Sequence, residues 1–262
     1  MQKLFVAFVV VCSACVSAAG ETWYVDVDTP ALPYSQDGRS WATAYDTLQE
    51  AVDDADYHYG GEVWVAEGIY TSTSEYVAEL HEDVSVYAGF LGNAPGGYET
   101  TRTQRDWQKH RTVLDGESTR ACVHGAGNAL LDGLILRNGE GIPVPMSPLS
   151  RGGGILNEGV SPTIANCIFV NNSARSAAAM YNVDASPIVT NCVFLANSAS
   201  ASGAAMSNSG NASPVVTDCI FALNQTQYQG NSVTNISSGT PAFRRCVFIE
   251  NQCLYGGGGT IE

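Results

Sequence analysis

The second half of the chain repeats one arrangement of apolar and polar residues four times. The first copy reads SPTIANCIFVNN, and the later copies keep its alternation around one cysteine and one phenylalanine. Such self-similarity at a fixed period is typical of a repeat array. The copies start at Ser161, Ser186, Ser213 and Thr240, and they align the cysteines Cys167, Cys192, Cys219 and Cys246, the phenylalanines Phe169, Phe194, Phe221 and Phe248, and the asparagines Asn172, Asn197, Asn224 and Asn251.

Each repeat contains three short β-prone runs, which Gly, Pro or Asn separates. Three strands per turn of about 25 residues predict an all-β fold, a right-handed parallel β-helix with three-strand coils. Because side chains alternate along a strand, Cys167 and Phe169 share one face and Ile168 lies on the other. We place Cys and Phe inside, since aromatic burial gives the larger hydrophobic gain. A second inward column is expected from Ile164, Val189, Val216 and Phe243, and an outward apolar stripe from Ile168, Val193, Ile220 and Val247.

Polar residues mark a bend before each repeated cysteine. Asn166, Asn191 and Asp218 occupy this bend in the first three copies. Asn tolerates the left-handed conformation that a bend needs, and its amide can bond to the next coil. We therefore interpret these residues as devices of the fold rather than as ligands. Arg245 stands at the same position of the last copy and is expected to break the ladder.

Weaker copies of the pattern extend upstream. In ALLDGLILRN, Asp132 and Gly133 lie at the bend, while Leu134 and Leu136 replace Cys and Phe. Further strand-like runs are EVWVA at 62–66, VSVYAGF at 84–90, TVLD at 112–115 and ACVH at 121–124. These runs predict irregular coils before the regular ones.

One short helix is predicted before these coils. Asp46 or Thr47 is suited to cap its N-terminus, and the apolar face continues to Ala55. We expect the helix to cover the open N-terminal edge of the stack, because repeat folds need such caps against edge-to-edge association.

The N-terminus has the features of a targeting segment. Lys3 precedes the apolar run LFVAFVVV, and small residues follow up to residue 19. This pattern predicts a signal peptide at 1–19, with lipidation at Cys15 as an alternative. The remaining chain divides into an N-terminal cap region at 20–60, irregular first coils at 61–140 and regular repeat coils at 141–262. Since Gly257 to Ile261 restart a coil, the array is expected to be incomplete at its C-terminus and capable of end-to-end self-association.

The repeats and the N-terminal motifs resemble those of two known groups. The tetrads FVNN, FLAN, FALN and FIEN, with GGGI at Gly152, are similar to the polymorphic outer membrane protein repeat. The phrase SPTIANCIF, the run from Tyr24 to Val52 and ETTRTQRDW at 99–107 resemble secreted bacterial β-helix proteins of the pectate-lyase-like superfamily. The tetrads AAAM and GAAM depart from the expected GGAI. The resemblance implies the fold and leaves the activity open, because the superfamily includes lyases, hydrolases, adhesins and scaffolds.

Charge and hydropathy exclude several classes of function. The formal net charge is −14, and Lys3 and Lys109 are the only lysines. Nucleic-acid binding and attachment to anionic membranes both need clustered cations, so we predict neither. No run of the mature chain is apolar and long enough to cross a membrane. The protein is therefore expected to be secreted or at the cell surface, including association with the outer membrane.

Six cysteines remain after the predicted cleavage. An even number in an exported chain is typical of disulfides. Four of them, however, fall in one inward column, where the Cβ atoms are further apart than the roughly 3.8 Å that a disulfide prefers. We therefore favour buried thiols, with disulfides as the alternative. No motif with metal-binding spacing is present, and we predict no metal site and no cofactor.

A few charged residues are candidates for ligand binding or catalysis. Asp26, Asp28 and Asp37 offer oxygen ligands to calcium, but without the spacing of an EF-hand loop they are read as solvated carboxylates. Arg102, Arg105 and Asp106 are expected to pin a long loop to the barrel through ion pairs, with an anion site as the alternative. Two pairs from adjacent coils would stack along a sugar-binding groove if the chain were a lyase: Arg151 with Arg175, and Glu158 with Asp184.

None of these patterns identifies a catalytic residue, and the binding residues stay unassigned. The leading interpretation is an exported, non-catalytic β-helix scaffold that acts in surface contact, adhesion or glycan binding. Its expected partner is a polysaccharide or a cell-surface glycan. The alternative is a polysaccharide lyase or a glycoside hydrolase of the pectate-lyase-like type.

Overall fold

Corresponding strands of successive repeats lie side by side, parallel and in register. The computed structural model describes residues 20–143, 150–228 and 232–255. The expected signal peptide with Cys15 and the last run of glycines lie outside the described residues. Within them, the predicted all-β parallel β-helix with one short α-helix is confirmed.

The first, irregular coils occupy the chain up to residue 137. Their elements are β1 (Thr22–Val25), the 3-10 helices η1 (Pro33–Ser35) and η2 (Trp41–Thr43), the helix α1 (Leu48–Tyr57), β2 (Gly61–Ala66), β3 (Gly68–Tyr70), β4 (Tyr76–Glu79), β5 (Val84–Phe90), the 3-10 helix η3 (Arg102–Gln104), β6 (Thr112–Asp115), β7 (Ala121–His124), β8 (Leu130–Asp132) and β9 (Leu134–Arg137).

The regular coils follow. Their strands are β10 (Ile142–Pro143), β11 (Ser150–Arg151), β12 (Ile155–Glu158), β13 (Thr163–Ala165), β14 (Ile168–Val170), β15 (Ser173–Ser176), β16 (Met180–Val183), β17 (Ile188–Thr190), β18 (Val193–Leu195), β19 (Ser198–Ser202), β20 (Met206–Gly210), β21 (Val215–Thr217), β22 (Ile220–Ala222), β23 (Gln225–Thr226), β24 (Val233–Ser237), β25 (Ala242–Arg244), β26 (Val247–Ile249) and β27 (Gln252–Cys253).

In the described part of the chain these strands form four sheets. Sheet A has the order β1-β2-β5-β8-β13-β17-β21-β25, and sheet B the order β26-β22-β18-β14-β9-β6-β3. Sheet C has the order β24-β20-β16-β12-β7-β4, and sheet D the order β10-β11-β15-β19-β23-β27. Neighbouring strands are parallel except for the antiparallel pair β10–β11.

Each regular coil therefore carries four strands rather than the expected three. The additional strand belongs to sheet D, where β15 reads SARS and β19 reads SASAS. Ser and Ala have little intrinsic preference for strands, so their pattern did not predict one. Pairing with the equivalent segment of the next coil, as between Ser173 and Ser198, supplies the extended structure instead.

The predicted inward columns are confirmed. Cys167, Phe169 and Ile164 are fully buried, whereas Ile168 is only partly buried. The rings of Phe169 and Phe194 are parallel within 3° at 4.8 Å. Leu136 lies directly opposite Phe169 in the preceding coil, so the upstream leucines replace the repeated Cys and Phe as expected.

Two ladders of buried asparagines hold the coils in register. Asn197 donates to Asn224 Oδ1 at 2.9 Å and to the Phe169 carbonyl at 3.0 Å, while its own Oδ1 accepts from the backbone and side chain of Asn172. A second ladder runs through sheet C, where Asn157 donates to Asn182 at 2.8 Å. The ladders pair side-chain amides that would otherwise be costly to bury, although Asn157 Oδ1, at one end of the second ladder, is buried without a hydrogen-bond partner.

The predicted bends before the cysteines are also confirmed. Asn166, Asn191 and Asp218 have positive φ angles of 55°, 52° and 56°. Arg245 has the same conformation, with φ 52°, and its guanidinium donates two hydrogen bonds of 2.6 Å to Asp218. The expectation that Arg245 breaks the ladder is therefore wrong, because an ion pair continues it.

Helix α1 packs against the first strands at the N-terminal end of the stack. Thr47 caps it by accepting a hydrogen bond from the Glu50 backbone, and the helix continues two residues beyond the predicted end at Ala55. Its buried face contacts the core around Trp23, whose indole N–H donates to Asp54 at 2.6 Å. The helix thus covers apolar side chains of β1 and β2.

Candidate functional site

A cleft of about 600 Å³ opens between α1 and strands β4 and β7; we call it the N-terminal cleft. Three carboxylates, two imidazoles and a tyrosine ring dominate its walls, and no Lys or Arg is among the described lining residues. Those residues are Gln49, Asp53, Ser72, Ser74, Glu75, Tyr76, Glu79, His81 and His124.

The strand side of the cleft brings an acid, an imidazole and an aromatic ring together. Because β4 and β7 pair in parallel register, Glu79 lies opposite His124 at the end of both strands. Glu79 Oε1 is 3.6 Å from His124 Nδ1. The ring of Tyr76 lies 5.1 Å from that of His124. A polar ligand in the cleft would therefore meet both hydrogen-bonding groups and an aromatic face.

The helix side carries a second carboxylate–imidazole group. Asp53 Oδ1 is 3.1 Å from His81 Nε2, and Asp56 Oδ2 is 3.7 Å from His81 Nδ1. The Gln49 amide bridges the two sides, because it donates to the Glu79 carbonyl at 3.0 Å and accepts from the Glu79 N–H at 2.7 Å. Glu79 is thus held at a fixed distance from the helix.

Tyr76 keeps its proton at neutral pH. Burial raises the pKa of its phenol to about 12, and the neighbouring charges of Glu75, Glu158 and Glu79 add to this effect. The neutral hydroxyl can both donate and accept a hydrogen bond.

A second concave area lies on the outer face of sheet D. Its hollow of about 430 Å³ is lined by Arg175, Ser200, Ala201 and Tyr228. Beside it, register places hydroxyl and amide side chains in one column along the stack: Ser173, Ser198, Gln225 and Gln252. We call this surface, with Tyr255, the sheet D face.

Two tyrosines stand out from the sheet D face. Tyr228 follows β23 and Tyr255 follows β27, so they are one coil apart. Their ring centroids are 5.7 Å apart at an angle of 31°, and the residues are 62% and 74% exposed. Water therefore reaches a pair of large aromatic surfaces that no described core residue covers.

Comparison with known families settles the architecture. A family model described as "right handed beta helix region" matches residues 101–262, which is well over half of the chain. This chain belongs to the right-handed β-helix family. The predicted handedness of the coils is thereby supported along with the fold.

Among solved structures, the β-helix is similar to a candidate glycosyl hydrolase from Parabacteroides merdae. The two share 16% sequence identity with a TM-score of 0.43, and the alignment covers 81% of this chain and 91% of the other. No curated protein matches the chain.

The two stacked charge pairs expected for a lyase are not formed in the β-helix. Arg151 lies opposite Ser176 rather than Arg175, and Glu158 lies opposite Val183 rather than Asp184. The turns between the coils displace each pair by one residue. Arg175 therefore lies on the other face of β15 from Ser176, and Asp184 lies beyond the end of β16 in a left-handed conformation. Arg151 instead lies over the ring of Tyr181, 5.0 Å from its centroid.

The acidic residues of the first loop act within the fold, and the interpretation of Asp26 as a solvated carboxylate is wrong, because its side chain is buried. Asp26 is buried and accepts hydrogen bonds from the backbones of Asp28 and Asn93, at 3.0 and 2.7 Å. Asp37 accepts from Thr43 at 2.6 Å, and this bond lowers its pKa. Among the described residues, no three or more His, Cys, Asp or Glu side chains are grouped so as to hold a metal ion.

The expected ion pairs of the long loop are present for its two arginines, Arg102 and Arg105. Arg105 donates to Asp132 Oδ2 at 2.6 Å and to the carbonyls of Ala88 and Asp132. Arg102 donates to Glu62 at 2.6 Å, and Asp106 receives the Lys109 N–H. The two arginines thus pin the loop to sheet A, as predicted, whereas the ion pair expected of Asp106 is not formed among the described residues, because its carboxylate accepts a backbone N–H within the same loop.

Two further predictions concern the buried thiols and the absence of membrane-spanning segments. In the described chain no disulfide is formed, and four of the six cysteines are buried, as expected for core thiols. The described helices include none with the length and hydropathy to span a bilayer.

Sequence reasoning missed the N-terminal cleft. His81 and His124 were visible as scattered histidines, and Glu79 ends the run YVAE. Their proximity depends on β4 pairing with β7 across 45 residues, and these irregular coils carry no repeated Cys or Phe to reveal that register. A search for short runs that end in an acid or a histidine could have suggested it.

Proposed function

We propose that this protein is an exported, non-catalytic β-helix that binds glycans on the sheet D face and so acts in surface contact or adhesion. The observation that carries the proposal is the exposed pair Tyr228 and Tyr255 beside the hollow at Arg175. Exposed aromatic pairs offer their electron-rich faces to the C–H groups of a sugar ring. The similarity of the FxxN tetrads to surface-protein repeats supports the location.

The polar column of the sheet D face supplies the other half of a glycan site. Ser198 and Gln252 are exposed, and their side chains are repeated at the spacing of the coils. Sugar hydroxyls need hydrogen-bond donors and acceptors, and the parallel strands of sheet D present such groups at regular positions along the stack. An extended polysaccharide fits this surface better than a compact ligand does.

The proposal is tested by gel-retardation of the purified protein in a panel of soluble polysaccharides. We expect retardation in at least one of them and its loss in the double variant Tyr228→Ala/Tyr255→Ala. The control is Tyr34→Ala/Tyr59→Ala, which removes two exposed tyrosines elsewhere, at 85% and 97% exposure. Equal retardation of both variants, or no retardation in any polysaccharide, would overturn the proposal.

The N-terminal cleft favours a second candidate function, cleavage of a polysaccharide. Its Glu79–His124 and Asp53–His81 contacts place potential acid and base groups around one concave space. The same panel, incubated with and without calcium, is assayed for new reducing ends and for unsaturated uronates. Products that disappear in Glu79→Gln would support this function, whereas their absence from the native protein leaves the binding role.

A further inference from the structure

The column of cysteines inside the regular coils has a geometry of its own. Cys167, Cys192, Cys219 and Cys246 each precede a strand of sheet B, and neither an asparagine ladder nor the sheet D face uses their thiols. Every thiol lies against the carbonyl two residues earlier, at 3.2, 3.2, 3.2 and 3.4 Å along the column. Every thiol also lies near a carbonyl of the preceding coil, at 3.6–3.9 Å.

These repeated contacts mean that successive sulfur atoms are related by one coil translation. The phenylalanines two residues further along the same strands measure that translation directly. Their ring centroids are 4.8, 4.7 and 4.7 Å apart from Phe169 to Phe248. The thiols therefore repeat at about the same spacing, which is the normal separation of paired strands.

This spacing matches a linear sulfur–metal–sulfur unit. A metal–thiolate bond of about 2.3 Å gives about 4.6 Å between the two sulfurs of a linear site. A metal ion could thus lie between two neighbouring thiols with almost no movement of either coil. Thiolate sulfur is a soft ligand and selects soft cations.

We propose that neighbouring cysteines of this column, beginning with Cys219 and Cys246, bind a soft divalent cation in two-coordinate linear geometry, as Hg²⁺ does. Each thiol gives its proton to solvent, and each sulfur then donates an electron pair to the metal. No atom changes its oxidation state. Two thiolates and one divalent ion form a neutral unit, which an apolar core can accommodate.

The two-ligand geometry separates this site from other metal sites. Zn²⁺ requires about four ligands, and the column offers two at a time. A monovalent soft ion such as Ag⁺ would leave one negative charge in the core and is expected to bind more weakly. A linear site needs only two thiolates. It therefore does not require a group of three or more His, Cys, Asp or Glu side chains, which is absent among the described residues.

Access to the column is from the last described coil. Cys246 is partly exposed, whereas Cys167, Cys192 and Cys219 are buried. Burial raises the pKa of the Cys192 thiol, so protons compete strongly with a metal at this position. Since two protons leave per ion, affinity should rise by up to about a hundredfold per pH unit below the thiol pKa values.

The test is a titration of the folded protein with HgCl₂, followed by ultraviolet charge-transfer absorption and by native mass spectrometry. Cys12 and Cys15 are first replaced by Ser, so that only the six cysteines of the described chain contribute. We expect one Hg²⁺ per two thiols of the four-cysteine column, and loss of the tightest-binding equivalent in Cys246→Ser and in Cys219→Ser. Cys246→Ser changes a partly exposed position, so it remains informative if Cys219→Ser fails to fold.

Matched controls are Cys122→Ser, a buried cysteine outside the column, and Cys253→Ser, a partly exposed one on sheet D. Both should retain the first equivalent. The proposal is overturned if Cys246→Ser binds as the parent does, if Cys253→Ser abolishes the first equivalent, or if Zn²⁺ binds with the same stoichiometry as Hg²⁺.

Discussion

Phe194 stacks on Phe221 with ring centroids 4.7 Å apart and ring planes within 2° of each other. Phe169 covers the opposite face of Phe194, so this ring is enclosed by aromatic neighbours on both sides. Val193, the preceding residue of the same strand, is only partly buried and points outward. One strand therefore places its two faces in very different environments.

Phe194→Ala should lower the free energy of unfolding by about 3–5 kcal/mol, because it leaves a cavity between two rings that cannot close on each other. Val193→Thr, the matched change on the outer face, should cost less than about 1 kcal/mol. Urea denaturation followed by circular dichroism measures both. A greater loss for Val193→Thr would mean that the faces of the strand are exchanged.

Asn197→Ala should lower the free energy of unfolding by about 3 kcal/mol or more. Its amide bonds to Asn172, Asn224 and the Phe169 carbonyl, and these buried groups would lose their partner. Asn191→Ala serves as the comparison, because Asn191 bonds to Asn166 on the exposed side of the helix. That variant should lower the free energy of unfolding by about 1–2 kcal/mol, because alanine tolerates the left-handed backbone conformation of this position less well than asparagine does. Similar losses from both variants would contradict the role of the buried ladder.

The stability of the fold should depend on pH through Asp115. Burial acts to raise the pKa of this carboxyl, but hydrogen bonds from the Glu117 N–H, Arg137 and Asn138 outweigh it and hold the pKa below its usual value. A lowered pKa in the folded state means that the stabilisation is present above the unfolded pKa of about 3.9 and is lost as the pH falls through the folded pKa.

Asp115→Asn should therefore reduce stability at neutral pH and remove part of the decline in acid. Urea midpoints at a series of pH values between neutrality and strong acid provide the measurement. Asp28→Asn, a change at an exposed carboxylate, controls for the altered net charge. If the parent and Asp115→Asn lose stability in parallel as the pH falls, Asp115 is not the group responsible.

The six cysteines should differ in reactivity. Burial raises the pKa of Cys122 to about 12, so little thiolate is present at mildly alkaline pH. Iodoacetamide should therefore label Cys246 and Cys253 in the folded protein, and the four buried cysteines only after denaturation. Peptide mass spectrometry assigns each site. Rapid labelling of Cys122 in the native state would contradict the burial of this thiol.

Repetition explains why so much of the fold could be predicted. Four aligned copies revealed that Cys167 and Phe169 share a face and that Asn166 forms a bend, and both predictions are confirmed. Apolar burial and left-handed turns are local requirements that each copy meets with the same residue type. The unexpected ion pair of Arg245 shows the limit, since its partner Asp218 is one coil away.

The pairing of several strands could not be predicted from the sequence, in the irregular coils and in sheet D. The N-terminal cleft depends on Glu79 lying opposite His124, and no shared motif links these two strands. A shift of one residue also separated Arg151 from Arg175, although both precede similar tetrads. Sheet D was missed because Ser and Ala carry no strand signal of their own. For the two misjudged registers, the deciding information is the length of a turn rather than the identity of a residue.

The columns of identical side chains also bear on how such a gene changes over generations. A coil presents the same Phe, Cys and Asn positions to the coil before it as to the coil after it, as Phe194 does to Phe169 and Phe221. Unequal recombination that duplicates or deletes one whole coil therefore rejoins two surfaces that already match. The number of regular coils is free to drift in whole units, whereas α1 and the strands that it covers have no spare copy to replace them.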